Sequence, residues 1–477
     1  MEGKKESSPK EAPKDEKKVE EEKVESKITA HEDPKEEPKK EGGEANPEVP
    51  SEEKKKKKKK KHKKHGKGNK PDDANRENPY RTLFNFDPKD VSPSRKQDNS
   101  QFRILGSWEE KPWLQTTPPT KSIDEQFPNK DWPIGVIMEY GQNDIWRSTD
   151  KEKIEQERLR EYDIIALRKA GECHRQMRKF AQSVMKPGMK MVDICVQIEN
   201  MLKFIINANG LECGQAFPTG CSLNHVAAHY TPNPGDETVL NYNDVCKIDF
   251  GTHVNGLIID CAFTVAFNPI YDNLLMASRE ATRQGVKLAG IDARLGEIGA
   301  GIQEVIESFE VEIGGKTHKI KAVKNLCGHT MEPFKIHAGK SVPIVKKDDN
   351  TKMEEGEIYA IETFASTGKG NVLESGECSH YMKDEYATES AKIKGDKPRA
   401  LFNYIDKHFS TMAFCRRWLA EGGFPQHALA LRQLIDGGLV NPYPPLADIE
   451  GCYVSQFEHT LMLKPTSKEV FSIGDDY

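Results

Sequence analysis

The chain has 477 residues, 31% of them charged, and a formal net charge of −5. That length allows two or three domains, or one large domain with a tail. The mildly negative balance excludes a nucleic-acid binder acting through bulk charge.

Ten cysteines are scattered from Cys173 to Cys452 with no CxxC pair. This suits reduced thiols in the cytosol better than a disulfide framework or a zinc finger. Met1-Glu2-Gly3-Lys4-Lys5 has no apolar h-region, and no apolar run long enough for a bilayer follows. The expectation is a cytoplasmic chain, neither secreted nor membrane-spanning.

Residues 1–75 are Lys, Glu, Pro, Ser and Gly with almost no large apolar side chain. Such a stretch cannot bury enough surface to offset its ordering entropy, so disorder is expected. Within it Lys54 to Lys61 run unbroken, followed by His62-Lys63-Lys64-His65. A block of this kind is either a contact for a polyanion such as RNA or the ribosome, or a solvated tail. From Tyr80 to Trp146 aromatics return among many prolines, so residues 76–148 read as an irregular segment wrapped onto a folded body.

That body is expected over residues 149–477. Helical spacing runs over 149–185 and stops at Lys186-Pro187-Gly188. A second helix is predicted over 191–207, ending at Gly210, and two more near 272–289 and 294–308. A hairpin is expected at Gly314-Gly315, and strands at 336–345, 357–364 and 453–463. Helical patterns at 401–419 and 426–435 form an insertion, about 382–442, in a β-rich sequence. The fold class is α+β.

The centre of the chain is the pair Val245-Cys246-Lys247-Ile248-Asp249-Phe250-Gly251 and Ile258-Ile259-Asp260-Cys261-Ala262-Phe263, separated by a segment containing Asn255-Gly256. A type I′ turn needs positive φ at both central residues, which Asn-Gly supplies. With the turn there, Asp249 falls opposite Ala262 and Asp260 opposite Gly251. The two carboxylates become diagonal neighbours on one face. In apolar strands they would repel each other and lose hydration; a basic partner or a metal pair would relieve both problems.

His329, Glu362 and Glu458 are candidate further ligands. His329 follows Cys327-Gly328 at a turn, and each Glu is a lone carboxylate in an apolar or aromatic strand. His459, adjacent to Glu458, points to the opposite face. Four carboxylates balance two divalent ions, and an oxygen-rich set with one imidazole suits Mn, Fe, Co or Zn. Bridging carboxylates hold such ions about 3.5–4 Å apart in two-metal hydrolases.

Several stretches together resemble the type 2 methionine aminopeptidases: Phe217-Pro218-Thr219-Gly220, Ala227-Ala228-His229-Tyr230, residues 247–251 and 258–265, Cys327-Gly328-His329, Ile336-His337-Ala338-Gly339, residues 360–364, Tyr443-Pro444-Pro445-Leu446 and Gln456-Phe457-Glu458-His459. The resemblance spans about residues 78–477. It implies the pita-bread fold, a pseudo-twofold α+β domain with the helical insertion of the type 2 branch. It carries dinuclear ligand roles onto Asp249, Asp260, His329, Glu362 and Glu458, with two divalent ions activating a water or hydroxide. Glu362 becomes the proton shuttle, and His229 and His337 flank the scissile bond. Phe217, Ile336, His337, His380, Ala413 and Tyr443 surround the first side chain of the substrate.

The implied reaction is cotranslational removal of the initiator methionine from nascent polypeptide N-termini when the second residue is small and uncharged. Fumagillin-type epoxides are expected to alkylate His229. The Lys/Glu tail resembles that of eukaryotic members, which implies contact with the ribosome and the alpha subunit of translation initiation factor 2, with no sequence-specific nucleic acid. Two other readings stand beside this one. A prolidase-like or aminopeptidase P-like hydrolase shares the fold and ligand types but usually carries a folded N-terminal domain. A pita-bread binding protein would have lost ligands, whereas all five are here.

Overall fold

The computed structural model describes residues 78–84, 89, 91, 114–387 and 393–477. The expected disorder of residues 1–75, and the lysine block within them, lie outside the described residues. The chain divides into Met1–Asp73 and Ala74–Tyr477, and every described residue belongs to the second unit.

Residues 114–148 are described on that unit. Ile123 is fully buried and Trp132 nearly so. The short strand Val136–Met138 pairs antiparallel with Lys468–Val470. Tyr140 donates its hydroxyl proton to the Lys464 carbonyl at 2.7 Å.

The helical spacing over 149–185 resolves into two helices, Lys151–Leu159 and α1 (Glu161–Val184). Asp150 caps the first by accepting from the Lys153 amide. The break falls at Arg160, whose guanidinium donates to the Gly356 carbonyl at 2.8 Å. A tertiary contact sets this break, and local periodicity does not report it. On α1 the residues Leu167, Ala170, Cys173, Met177 and Ala181 are fully buried, a stripe at spacings of three and four. Fully burying a side chain such as Leu167 stabilises by about 1.5–3 kcal/mol. Gly188, at φ +91°, makes the turn into α2 (Met191–Ile205).

Three antiparallel strands follow, β1 (Cys213–Leu223), β2 (Val245–Val254) and β3 (Leu257–Ala266), ordered β1-β2-β3. The β2–β3 turn is the expected one. Asn255 and Gly256 take φ of +52° and +82°, and Val254 pairs with Leu257. Gly256 is required twice over, since a Cβ there would lie 2.4 Å from the Phe334 ring. The register places Asp249 opposite Ala262 and Asp260 opposite Gly251, as the turn chemistry dictates.

The second half repeats the order of helices before strands. Helices α3 (Asp272–Leu288) and α4 (Leu295–Glu307) precede β4 (Cys327–Met331) and β5 (Ile358–Ser366). Strand β6 (Val454–Leu463) pairs with β5 along its whole length, and β4 pairs with the other edge of β5. These belong to a seven-stranded sheet.

Two expectations need correction. Residues 336–345 are not one strand: only Ser341–Pro343 pairs, with β4. Gly339, at φ +108°, turns the chain before it, so Ile336 and His337 sit in a loop. Residues 401–419 are not one helix. Helix α5 (Asp396–Phe409) ends where Ser410 takes φ +53°. Phe414 and Cys415 then pair with Tyr381 and His380. Helices α6 (Arg416–Glu421) and α7 (Ala428–Asp436) follow.

Candidate active site

Five strands each deliver one residue to the same place. Asp249 lies on β2, Asp260 on β3, His329 on β4, Glu362 on β5 and Glu458 on β6. Alternation along each strand sends these side chains to one face. The pairing fixes their register: Glu362 stands opposite Glu458 and Ala360 opposite His329. Glycines let the strands close around them. A Cβ on Gly328 would lie 2.4 Å from the Ala360 carbonyl oxygen, and one on Gly251 would lie 2.3 Å from the Phe217 ring. Phe217 therefore packs directly against Gly251.

Asp260, His329 and Glu458 are buried, with potential ligand atoms all within 4.8 Å of one another. His329 Nε2 is 3.6 Å from Asp260 Oδ2 and 4.0 Å from Glu362 Oε1. Asp249 Oδ1, Asp260 Oδ1 and both Glu458 oxygens are buried and accept no hydrogen bond. Burial is the largest force on these carboxyls, raising Asp249 to about 6 and holding Asp260, Glu362 and Glu458 well above the carboxylate range; their mutual repulsion adds to it for the last three. Burial, then His337, pushes His329 down to about 3, which keeps its imidazole neutral.

Four crowded acids with orphaned oxygens and a neutral imidazole need positive charge. No Lys or Arg lines the cavity, so the basic partner is not there. The donor set fits divalent cations.

The same cavity is lined by His229, His337, His380, Phe217, Ile336, Ala413 and Tyr443. All twelve residues singled out in the sequence thus face one space. The His337 ring stands edge-on to His329 at 4.5 Å. The His229 ring is 6.0 Å from that of His380 and 6.1 Å from that of Tyr443. Burial, then His337, lowers His229 to about 4. His459 and His253 stay out of the cavity. His459 bonds Ser472 Oγ at 2.9 Å and stacks on Tyr477, and His253 is buried beside Phe334.

Sequence reasoning assigned no role to Gln456. Its Nε2 donates to Asp249 Oδ2 at 3.1 Å and to Glu362 Oε2 at 3.3 Å. Its position two before Glu458, on the same strand face, was the available signal. Thr460, two residues further on, accepts from the Asp260 amide at 2.8 Å and so locks β3 to β6.

Comparison with known proteins decides the family. The pattern of metallopeptidase family M24 matches residues 165–387. Methionine aminopeptidase 2A of Arabidopsis thaliana is 54% identical over 363 residues, covering 76% of this chain and 82% of that one. Methionine aminopeptidase 2 of Dictyostelium discoideum is also 54% identical, over 76% of this chain and 83% of its own. The chain belongs to the type 2 methionine aminopeptidases. Among solved structures, a thermophilic Arx1 superposes with a TM-score of 0.54 at 17% identity, covering 68% of this chain and 91% of that one. That likeness concerns the fold alone, the pita-bread fold of M24 metallopeptidases. As one of them this chain is a divalent-metal hydrolase, and the Asp/His/Glu cluster is where its residues fit an ion. No helix among the described residues is long and apolar enough to cross a membrane.

Proposed function

We propose that this aminopeptidase removes the initiator methionine from nascent polypeptides whose second residue is small and uncharged. The observation that carries the reading is one cavity lined by two unlike sets of groups. One set is the cluster of four carboxylates and an imidazole; the other is a slot of Phe217, Ile336, His380, Ala413 and Tyr443. A slot of aromatic and aliphatic groups suits an unbranched thioether, which bends to fit and gains sulfur–aromatic contacts.

Asp249, Asp260, His329, Glu362 and Glu458 would hold two divalent ions, drawn from Co, Mn, Fe or Zn, whose charges balance the four carboxylates. Such ions supply a lowered water pKa and a polarised scissile carbonyl. Glu362 takes the proton released by the attacking water and passes it to the leaving amine. Gln456, bonded to Glu362 and Asp249, orients both carboxylates. His229, half-buried, and His337, exposed, both have lowered pKa values that keep them neutral; they hydrogen-bond the scissile amide and its tetrahedral successor, which favours the transition state over the ground state. The free amino terminus sits at the carboxylate cluster, so an acetylated peptide is not cut.

We further infer, from the resemblance and from the lysine run over residues 54–65, that the tail contacts the ribosome and the alpha subunit of translation initiation factor 2 in the cytoplasm.

The deciding experiment is hydrolysis of Met-Ala-Ser by purified protein, with and without chelator. Release of free Met that stops on chelation and returns with Mn²⁺ or Co²⁺ supports the reading. Undiminished turnover after exhaustive chelation would sink it.

A further inference from the structure

Behind His229 lies a buried polar network that the chemistry above does not use. Glu199, on α2, is 2% exposed and Arg417, on α6, 4% exposed. They meet as a two-pronged pair: Arg417 Nη1 donates to Glu199 Oε2 at 2.9 Å and Nη2 to Oε1 at 2.8 Å. Both groups make further bonds, which bring Glu199 to four donors and Arg417 to four acceptors. Trp418 Nε1 donates to Glu199 Oε2 at 2.9 Å, and the Thr219 amide to Oε1 at 3.3 Å. Arg417 Nη2 also donates to Thr231 Oγ1, and Nε to the Pro232 carbonyl, each at 2.9 Å.

A buried ion pair adds little net stability over an apolar pair of the same volume. Stability therefore does not account for this one, and its targets suggest what does. Thr231 and Pro232 closely follow His229, whose backbone sits at φ +64°, the left-handed region that a non-glycine residue rarely adopts. Such a conformation persists only where the surroundings over-determine it. Ser379, fully buried, grips the same turn. Its hydroxyl donates to the His229 carbonyl at 3.2 Å and accepts from the Thr231 amide at 3.1 Å. Ser379 precedes His380, and Arg417 follows Ala413 by four residues, so one network also ties together two walls of the slot.

We propose that Glu199, Arg417 and Ser379 form a buried clamp that holds the His229 turn in its left-handed conformation and so fixes the imidazole against the scissile bond. They are positioning residues; none touches substrate. The proposal rests on the reading that His229 acts on that bond, and the test separates the two.

The double variant Glu199→Leu/Arg417→Met replaces the pair by apolar groups and leaves no stranded charge, so it should fold. A second variant, Ser379→Ala, leaves the ion pair intact and stands in if the first does not fold. Each is compared with the parent by thermal melting, by calorimetric titration with Mn²⁺ alone, by kcat and KM on Met-Ala-Ser, and by amide exchange of residues 229–231 in chelated protein. The expected result is unchanged Mn²⁺ affinity and nearly unchanged KM, with kcat lower by about 10²-fold, the cost of a misplaced group. Amide exchange over 229–231 rises about tenfold as the turn opens locally.

Folded variants with parental exchange overturn the clamp, and so does faster exchange with parental kcat. A parent that binds Mn²⁺ yet never cuts Met-Ala-Ser overturns the proposed reaction instead. Exchange then decides the clamp by itself: a parental rate in the variants refutes it, and a raised rate upholds it.

Discussion

Glu362 and Glu458 stand directly opposite each other on neighbouring antiparallel strands. Like charges in that relation destabilise a sheet, and here both Glu458 oxygens are buried without a donor. The arrangement makes sense only around cations. Asp260 is the third acid against this pair, and its repulsion is felt by both.

Asp260→Ala should therefore abolish turnover and weaken ion binding by more than the roughly 10–100-fold that loss of an outer-shell partner costs. Returning Mn²⁺ to chelated parent at about 100 times its dissociation constant should raise unfolding free energy by about 2.7 kcal/mol. Calorimetric titration and melting curves read both effects. A variant that binds and turns over like the parent removes Asp260 from the site.

Substrate choice follows from the slot. Leu matches Met in volume but is branched, and one such difference in an apolar pocket discriminates by about 1–3 kcal/mol. Met-first peptides should therefore be cut roughly 10–200-fold faster than Leu-first ones. With Met first, Gly, Ala, Ser, Thr, Val, Cys or Pro should be accepted second, and Lys, Glu or Phe refused. Comparable rates for Met-Ala and Met-Lys peptides, in a panel varied at two positions, would overturn the specificity and leave the metal hydrolase standing.

Removing residues 1–75 takes away no residue of the cavity. Turnover on short peptides should stay close to that of the full chain. Ribosome co-sedimentation should fall when residues 54–65 are deleted, and should weaken steeply as salt rises, because released counterions drive such binding. Equal co-sedimentation with and without those residues contradicts the proposed contact.

Acid stability has a separate source. Arg178 and Asp476 form a fully buried, two-pronged pair with both bonds at 2.6 Å. Burial by itself would raise the Asp476 pKa, but the guanidinium outweighs it and holds the group at about 2. The unfolded value is about 3.9, so the folded pKa is depressed. The pair's contribution is present above about pH 4 and is lost as pH falls toward 2. Asp476→Asn should cost about 3–5 kcal/mol at neutral pH and flatten the fall in stability between pH 4 and 2. Parallel acid-unfolding curves for parent and variant would show that other carboxyls set the slope.

Much of the site could be read from local pattern. Asn255-Gly256 fixed a turn, the turn fixed a register, and the register put Asp249 and Asp260 on one face. Lone carboxylates in apolar strands pointed to Glu362 and Glu458. What escaped depends on partners distant in sequence. Glu199 and Arg417 are 218 residues apart, and nothing near either announces the other. The end of α5 at Ser410 and the turn at Gly339 interrupt patterns that look continuous, because Phe414 and Cys415 pair with a strand elsewhere and Gly339 takes a conformation its letter permits but does not demand.

Gln456 reaches Asp249 across 207 residues of chain, and the residues around them come from five strands that close only with β6. Synthesis delivers those strands one at a time, Glu458 last. The hairpin of β2 and β3 and the pair β4–β5 can form before β6 exists, but the full set of ligands cannot assemble until Glu458 has been made. Completion of the metal site is thus tied to the docking of one strand, β6, which carries both Gln456 and Glu458.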